Sequence, residues 1–158
     1  MKKKMHKSKM KTKKAYEGNI VGLIDLITGN DTTTPRSDIQ LLVSGMWNTL
    51  QYGELQIMPD HLAQMMMNFD KGTRKGVPVD IDHDGGEAAG WITKLELRNA
   101  GTELWGKVEW TDLGEEKLTN KRYRFMSPEF SFNYLDPEHG TTHGSVLIAG
   151  TLTNRPLF

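Results

Sequence analysis

Residues 88–111, AAGWITKLELRNAGTELWGKVEWT, carry the clearest structural pattern of the chain. Side chains alternate in period two from Trp91 to Arg98, and the run Thr102–Thr111 alternates as well. This period is typical of a strand with one buried face. Asn99–Gly101, the tripeptide NAG between the two runs, favours a hairpin loop. The stretch therefore predicts two antiparallel strands.

The segments around this hairpin predict further strands and two helices. Strands are predicted over 39–48, 77–83, 123–134 and 144–154, after a short apolar element at 19–27. One helix is predicted over Pro59–Phe69, because its apolar side chains fall on one face: Leu62, Met65, Met66 and Phe69. A second, shorter helix is predicted over Asp112–Tyr123, with Asp112 as its N-cap. The fold class that follows is mainly β with a few helices (α+β), a small and partly closed barrel or curled sheet.

Composition narrows the possible functions. The chain has 158 residues and no cysteine. A disulfide framework, a thiolate metal site and a cysteine nucleophile are therefore excluded. No apolar run approaches the ~20 residues that span a bilayer, so no membrane partner is expected.

Charge divides the chain into two parts. Residues 1–14, MKKKMHKSKMKTKK, hold eight lysines and no acid, so residues 15–158 hold 12 basic and 20 acidic residues. We predict that residues 1–14 form a disordered basic arm and residues 15–158 a single domain. The arm is a candidate contact for acidic partners or nucleic acid.

The segment Val77–Gly86, VPVDIDHDGG, places one of five histidines beside three acids. If the strand is regular, Asp80, Asp82 and Asp84 share one face and His83 points to the other. This parity argues against a single metal ion bound by all four, although a metal site that includes His139 and His143 stays open. His83 at a strand end also suits a general base.

Ser127, in the stretch RFMSPEFSF, is the best partner for such a base. The following Pro128 lacks an amide proton, so the strand is expected to lie at an edge or to bulge there. An exposed and fixed hydroxyl at that break suits a nucleophile, with Ser131 on the same strand face as the alternative. A serine that merely sits at a bulge fits the residues as well.

Five blocks, in order, resemble the Mu-like prophage protease family, which contains capsid maturation proteases of tailed phages. They are VDIDHD, AAGWI, LWGKVEWT, YRFMSPEF and LTNRP; LLVSGMWNTLQYGE is more loosely similar. The resemblance implies a β-barrel of the kind found in prohead proteases and herpesvirus assemblins. It also implies a serine endopeptidase with His83 as general base and Ser127 as nucleophile, and no cofactor or metal.

The resemblance leaves the third catalytic residue unassigned. Related prohead proteases use an acid on a late strand, but the late strand here, SVLIAGTLTN, contains none. His143 would match the assemblin pattern, Glu129 is a possible acid, and a dyad oriented by a carbonyl or water is a further alternative. Backbone amides, Arg122, Arg124 or Arg155 are candidates for stabilising an oxyanion.

The implied substrates are phage scaffold and major capsid proteins, cleaved in the host cytoplasm inside the procapsid. A second copy of the chain, in a homo-oligomer, is a further candidate partner. Family members often continue into a scaffolding segment after the LTNxP block, so we expect either a scaffold encoded by a separate gene or a chain that is a truncated or processed product. Two other functions stay open: a catalytically inactive capsid-assembly or scaffold-binding module of the same fold, and a metal-dependent hydrolase built on His83 and the aspartates.

Overall fold

The computed structural model describes residues 16–17, 24–25, 35–49 and 53–154. The predicted basic arm and most of the apolar element at 19–27 lie outside these residues, and the predicted single domain stays a prediction. The strands are β1 (Tyr16–Glu17), β2 (Ile24–Asp25), β3 (Asp38–Val43), β4 (Gly45–Thr49), β5 (Gly53–Ile57), β6 (Pro78–Ile81), β7 (Gly90–Arg98), β8 (Glu103–Trp110), β9 (Phe125–Ser131) and β10 (Val146–Thr153). The helices are α1 (Pro59–Asp70) and α2 (Asp112–Thr119).

The fold is mostly β with two helices, as the sequence predicts. Six strands in the order β9-β10-β6-β7-β8-β3 curl into a nearly closed barrel, and β3 contacts β9 across the remaining gap. β1 and β2 both pair with β9, and β4 and β5 form a separate ribbon. All pairs are antiparallel except β6 with β10, which run parallel. In the described part of the chain, no helix is long and apolar enough to cross a membrane.

The predicted hairpin over residues 88–111 is confirmed. Leu97 lies opposite Leu104 in the β7–β8 ladder, and the three residues of the NAG loop all have positive φ. Arg98 fixes the neighbouring strand, because its guanidinium donates two hydrogen bonds of 3.0 Å to the Asp38 carboxylate on β3. Such bidentate pairs fix geometry as well as contribute energy.

Helix α1 begins at Pro59, as predicted, and its buried side packs against β7, β8 and β10. Asn68 ties it to the start of β10 by donating to the carbonyl oxygens of His143 and Ser145, both at 2.9 Å. The position of β10, which passes under the candidate site, therefore depends on α1. The barrel and α1 share one apolar core, whose largest fully buried side chains are Phe130, Ile39, Leu41, Leu42, Ile57, Leu62, Met65, Leu104, Leu118 and Met126.

Several element boundaries differ from the predictions; the second helix, for example, ends at Thr119 rather than Tyr123, and β9 begins at Phe125. The strand predicted over 39–48 is interrupted, because Ser44 donates its amide to Thr102 and Gly45 has a φ of 150°; β3 ends there and β4 begins a separate ribbon. The second helix is capped by Thr111 rather than Asp112, since the Thr111 hydroxyl accepts the Gly114 amide at 3.3 Å. Asp112 lies in the first turn, where a carboxylate interacts favourably with the helix dipole and stabilises the helix.

Candidate active site

His83 lies in a tight turn after β6 rather than at the end of a regular strand. β6 ends at Ile81, and the Asp84 amide donates to the Ile81 carbonyl oxygen at 3.0 Å. Asp82 and His83 between them have φ values of 52° and 57°. Two left-handed residues in succession are typical of a type I′ turn and are unusual for residues other than glycine. The predicted parity of Asp82, His83 and Asp84 is therefore wrong, because the strand ends before them.

The carboxylates of this segment hold the turn. Asp80 accepts the Gly85 amide at 3.0 Å, and Asp84 accepts the Gly86 amide at 2.9 Å. Asp82 accepts the Tyr123 hydroxyl at 2.5 Å. This hydrogen bond, followed by burial, raises the pKa of the Tyr123 hydroxyl, because ionisation would place a second negative charge there. The acids thus explain how a left-handed histidine is held in place.

Thr151 on β10 supports the same turn from below. Its hydroxyl oxygen accepts the His83 amide at 2.8 Å, and the side chain is completely buried. The bond joins two residues 68 positions apart in the chain. Sequence reasoning missed Thr151, because threonine in an apolar strand is an ordinary β-former and gives no separate signal.

A row of buried polar side chains crosses three strands under His83. In the registers of β6, β10 and β9, Asp80 lies beside Thr151 and Thr151 lies beside Ser127. Side chains at paired positions share a face, and neighbours in such a row have Cβ atoms ~5 Å apart. Because Thr151 also holds the His83 amide, His83 and Ser127 come to the same face of the sheet.

The hydroxyl of Ser127 has no hydrogen-bond partner among the described residues, although the residue is only 2% exposed. Buried polar groups are nearly always paired, and an unpaired one calls for a functional or energetic explanation. The alternative nucleophile, Ser131, differs in this respect, since its oxygen accepts the Asn133 amide at 3.1 Å. The contrast favours Ser127 over Ser131 as a reactive group.

The predicted exposure of Ser127 is wrong. β9 pairs with β10 on one flank over its whole length, and with β1 and β2 on the other. β1 reaches Glu129 and Phe130, and β2 reaches Phe125 and Met126. Among the described strands, Ser127 and Pro128 therefore lie between the residues that pair with β2 and those that pair with β1. A position without a strand partner on that flank suits Pro128, which has no amide proton to donate.

Glu129 lies on the same side of β9 as Ser127, two residues further along. Its Oε1 atom is 3.7 Å from Nδ1 of His83, and the two side chains are 23% and 25% exposed. The two groups are close enough for an ion pair when the imidazole is protonated. The distance is longer than a hydrogen bond.

The other candidate residues lie elsewhere or outside the described residues. The ring of His143 contacts Asp136 and Thr141 in the loop before β10, with Nε2 3.2 Å from the threonine oxygen. Arg122 pairs with Glu116 at 3.3 Å, and Arg155 is outside the described residues. Within residues 35–49 and 53–154, no three histidine, aspartate or glutamate side chains are grouped closely enough to hold a metal ion.

The arrangement offers a base, a hydroxyl and a carboxylate on one sheet face. No hydrogen bond joins the His83 ring to Ser127 Oγ among the described residues. If the ring turns to that hydroxyl it can take the proton, and a carboxylate near the other ring nitrogen can stabilise the resulting cation. The left-handed turn and the Thr151 contact fix the histidine backbone before any substrate binds. This set of groups is suited to acyl transfer.

Comparison with known protein families supports the resemblance to Mu-like prophage proteins. Residues 39–158 match the family described as Mu-like prophage I protein, N-terminal domain, which covers more than half of the chain. No curated protein and no solved structure matches the chain. The chain therefore belongs to the Mu-like prophage I protein family.

Proposed function

We propose that this phage protein is a serine endopeptidase in which Ser127 is the nucleophile and His83 the general base. The observation that carries the proposal is the buried row beneath the His83 turn, in which Thr151 holds the His83 amide and lies beside Ser127. The unpaired Ser127 hydroxyl supports it, because a nucleophile must be able to exchange its proton with a base. Membership of a Mu-like prophage family supports a role in phage head assembly.

The reaction would proceed through an acyl-enzyme. His83 takes the Ser127 proton as Oγ attacks the peptide carbonyl carbon, and the imidazolium then returns a proton to the leaving amine as the C–N bond breaks. Water, deprotonated by His83, attacks the ester and releases the acid with regeneration of the serine. Backbone amides near the Pro128 break are candidate oxyanion donors.

The proposed substrates are phage scaffold and major capsid proteins, cleaved inside the procapsid in the host cytoplasm. We expect the substrate to bind as an extended strand, because peptides commonly add to unpaired strand edges. The interval that the described strands leave at Ser127 and Pro128, on the β1–β2 flank of β9, is the candidate position. Self-association and contacts between residues 1–14 and an acidic partner belong to the same proposal.

Burial of Ser127 favours a second candidate, a catalytically inactive assembly or scaffold-binding module. A side chain that is 2% exposed must become accessible before a peptide carbonyl can reach it. An inactive module needs no such opening. The two functions differ in whether the hydroxyl reacts at all.

Labelling by a fluorophosphonate distinguishes them. The probe forms an Oγ–P bond as the P–F bond breaks, so it reports the activated hydroxyl without a known substrate. We expect wild-type protein to be labelled at Ser127 and to cleave co-expressed scaffold protein on a gel. Ser127→Ala and His83→Ala should both lose labelling and cleavage, because the two residues act as one unit.

Ser131→Ala is the matched control, since it removes a buried hydroxyl from the same strand face and should retain labelling. Absence of labelling in folded wild-type protein, together with uncleaved scaffold, would support the inactive module. Loss of labelling in Ser131→Ala alone would move the nucleophile to Ser131.

A further inference from the structure

We propose that Glu129 is the positioning residue of the His83 imidazole, so that the site is a Ser127–His83–Glu129 triad. The inference rests on the proposed function and names the member that the sequence leaves unassigned. For the complex with substrate it assigns Nδ1 of His83 to the Glu129 carboxylate and Nε2 to the Ser127 hydroxyl, which has no hydrogen-bond partner among the described residues. Glu129 remains ionised throughout and neither attacks the substrate nor takes a proton.

Strand geometry places Glu129 where such a carboxylate is needed. Positions two apart on a strand share a face and are separated by ~6.6 Å. A histidine ring over this face can therefore approach Ser127 with one nitrogen and Glu129 with the other. Nδ1 already lies 3.7 Å from the carboxylate. The residue opposite Glu129 on β10 is Ala149, whose single methyl leaves room for the carboxylate to turn.

The contact lies in surroundings that strengthen it. Both side chains are about three quarters withdrawn from solvent, so their charges are screened less than those of a surface pair. Protonation of His83 during attack would create a cation 3.7 Å from Glu129. A carboxylate at that position stabilises the imidazolium and fixes the ring orientation. Hydrogen bonds of this type are often long without substrate and shorten when substrate binds.

The other carboxylates around His83 have structural partners. On β6 and its turn, Asp80 holds the Gly85 amide, Asp84 holds the Gly86 amide and Asp82 holds the Tyr123 hydroxyl. The titratable groups on the elements around the His83 turn include Asp80, Asp82, Asp84, Tyr123 and Glu129. Glu129 lies at ion-pair distance from the ring, with Oε1 3.7 Å from Nδ1.

The test compares Glu129→Gln with wild type, using the rate of fluorophosphonate labelling at each pH. Gln keeps the size of the side chain and removes its charge. We expect the maximal labelling rate to fall by about 10- to 100-fold, less than the ~10⁴-fold effect of the corresponding change in a tightly hydrogen-bonded triad. The acid limb of the pH profile should move to lower pH, because removing a nearby anion makes the imidazole easier to deprotonate.

An NMR titration of the His83 ring gives a readout that does not depend on activity. Its pKa should fall in Glu129→Gln and stay unchanged in Glu87→Gln, the control, which removes an exposed carboxylate from the same loop. Glu129→Asp keeps the charge, so its labelling rate and the pKa of its His83 ring should lie between those of wild type and Glu129→Gln. It also provides the comparison if the Gln variant fails to fold.

The outcomes separate the two proposals. If Ser127→Ala abolishes labelling while Glu129→Gln leaves the rate, the acid limb and the His83 titration unchanged, the Glu129 assignment is wrong and the protease proposal stands. If Ser127→Ala is still labelled like wild type, the proposed nucleophile is wrong. The NMR titration then still decides whether Glu129 interacts with His83.

Discussion

Thr151→Val tests the contact that brings the two distant halves of the site together. Valine has nearly the same shape as threonine but cannot accept the His83 amide, which lies 2.8 Å from the hydroxyl oxygen. Leaving a buried amide without an acceptor costs about 1–3 kcal/mol. The completely buried position of Thr151 gives water little access to replace the lost oxygen. We therefore expect the free energy of unfolding to fall within that range.

Urea denaturation measures this loss, and hydrogen exchange of the His83 amide locates it. With a slope of about 2 kcal/mol per molar urea, the midpoint should fall by roughly 0.5–1.5 M. The His83 amide should lose protection, and fluorophosphonate labelling should slow because the ring is no longer held. Thr151→Ser keeps the acceptor and should retain amide protection, although loss of the methyl costs about 0.8 kcal/mol. Unchanged stability and protection in Thr151→Val would refute the role given to the hydroxyl.

Three further predictions concern the scaffold. Gly114→Ala should destabilise the fold by about 3 kcal/mol in urea denaturation, because its Cβ would overlap the carbonyl group of Ala89 in rigid backbone; wild-type stability would show that α2 can shift. Deleting residues 1–14 should leave the urea midpoint unchanged, because this lysine-rich segment has no apolar face to bury; a large loss would show that the arm packs. The Arg98 hydrogen bond lowers the pKa of Asp38 below its ordinary 3.8, so this pair contributes stability above that pH and loses it as the pH falls through the folded-state pKa. Arg98→Met should therefore flatten the acid limb of a stability–pH curve, and an unaltered limb would contradict the assignment.

The sequence predicts those parts of the fold whose signals are local. The alternation over residues 88–111 predicts β7 and β8, and the spacing of Leu62, Met65, Met66 and Phe69 predicts α1. Each signal depends on which residues of one segment face a core, so no distant partner is needed. The prediction of one continuous strand overlooks the turn signal Ser44–Gly45, because the apolar residues on both sides of it favour a strand.

The site depends on contacts between segments, and its geometry is correspondingly harder to predict. The left-handed turn at Asp82 and His83 is hidden, because the obvious turn signal, Gly85 and Gly86, lies three residues later. Burial of Ser127 depends on partner strands far away in the chain. His83 and Ser127 are candidates from the sequence, but their common face follows from the register of β10 between β6 and β9.

The buried hydroxyl at Ser127 leads to a last prediction, which separates a reactive serine from a structural one. An oxygen that is desolvated without a hydrogen-bond partner lowers stability, whereas a paired structural hydroxyl contributes about 1 kcal/mol. Because no described residue is hydrogen-bonded to Ser127 Oγ, Ser127→Ala should be as stable as wild type or more stable by up to ~1 kcal/mol. Such trade-offs between stability and activity are common at catalytic positions.

Ser131→Ala gives the matched comparison. The Ser131 hydroxyl accepts the Asn133 amide, so its removal should lower the free energy of unfolding. We expect urea denaturation to rank Ser127→Ala above Ser131→Ala in stability, while fluorophosphonate labelling ranks them in the opposite order. A residue whose removal stabilises the fold and abolishes the reaction is retained for its chemistry. If Ser127→Ala instead loses more than 1 kcal/mol, the hydroxyl has a structural partner in solution, and the argument from its unpaired state fails.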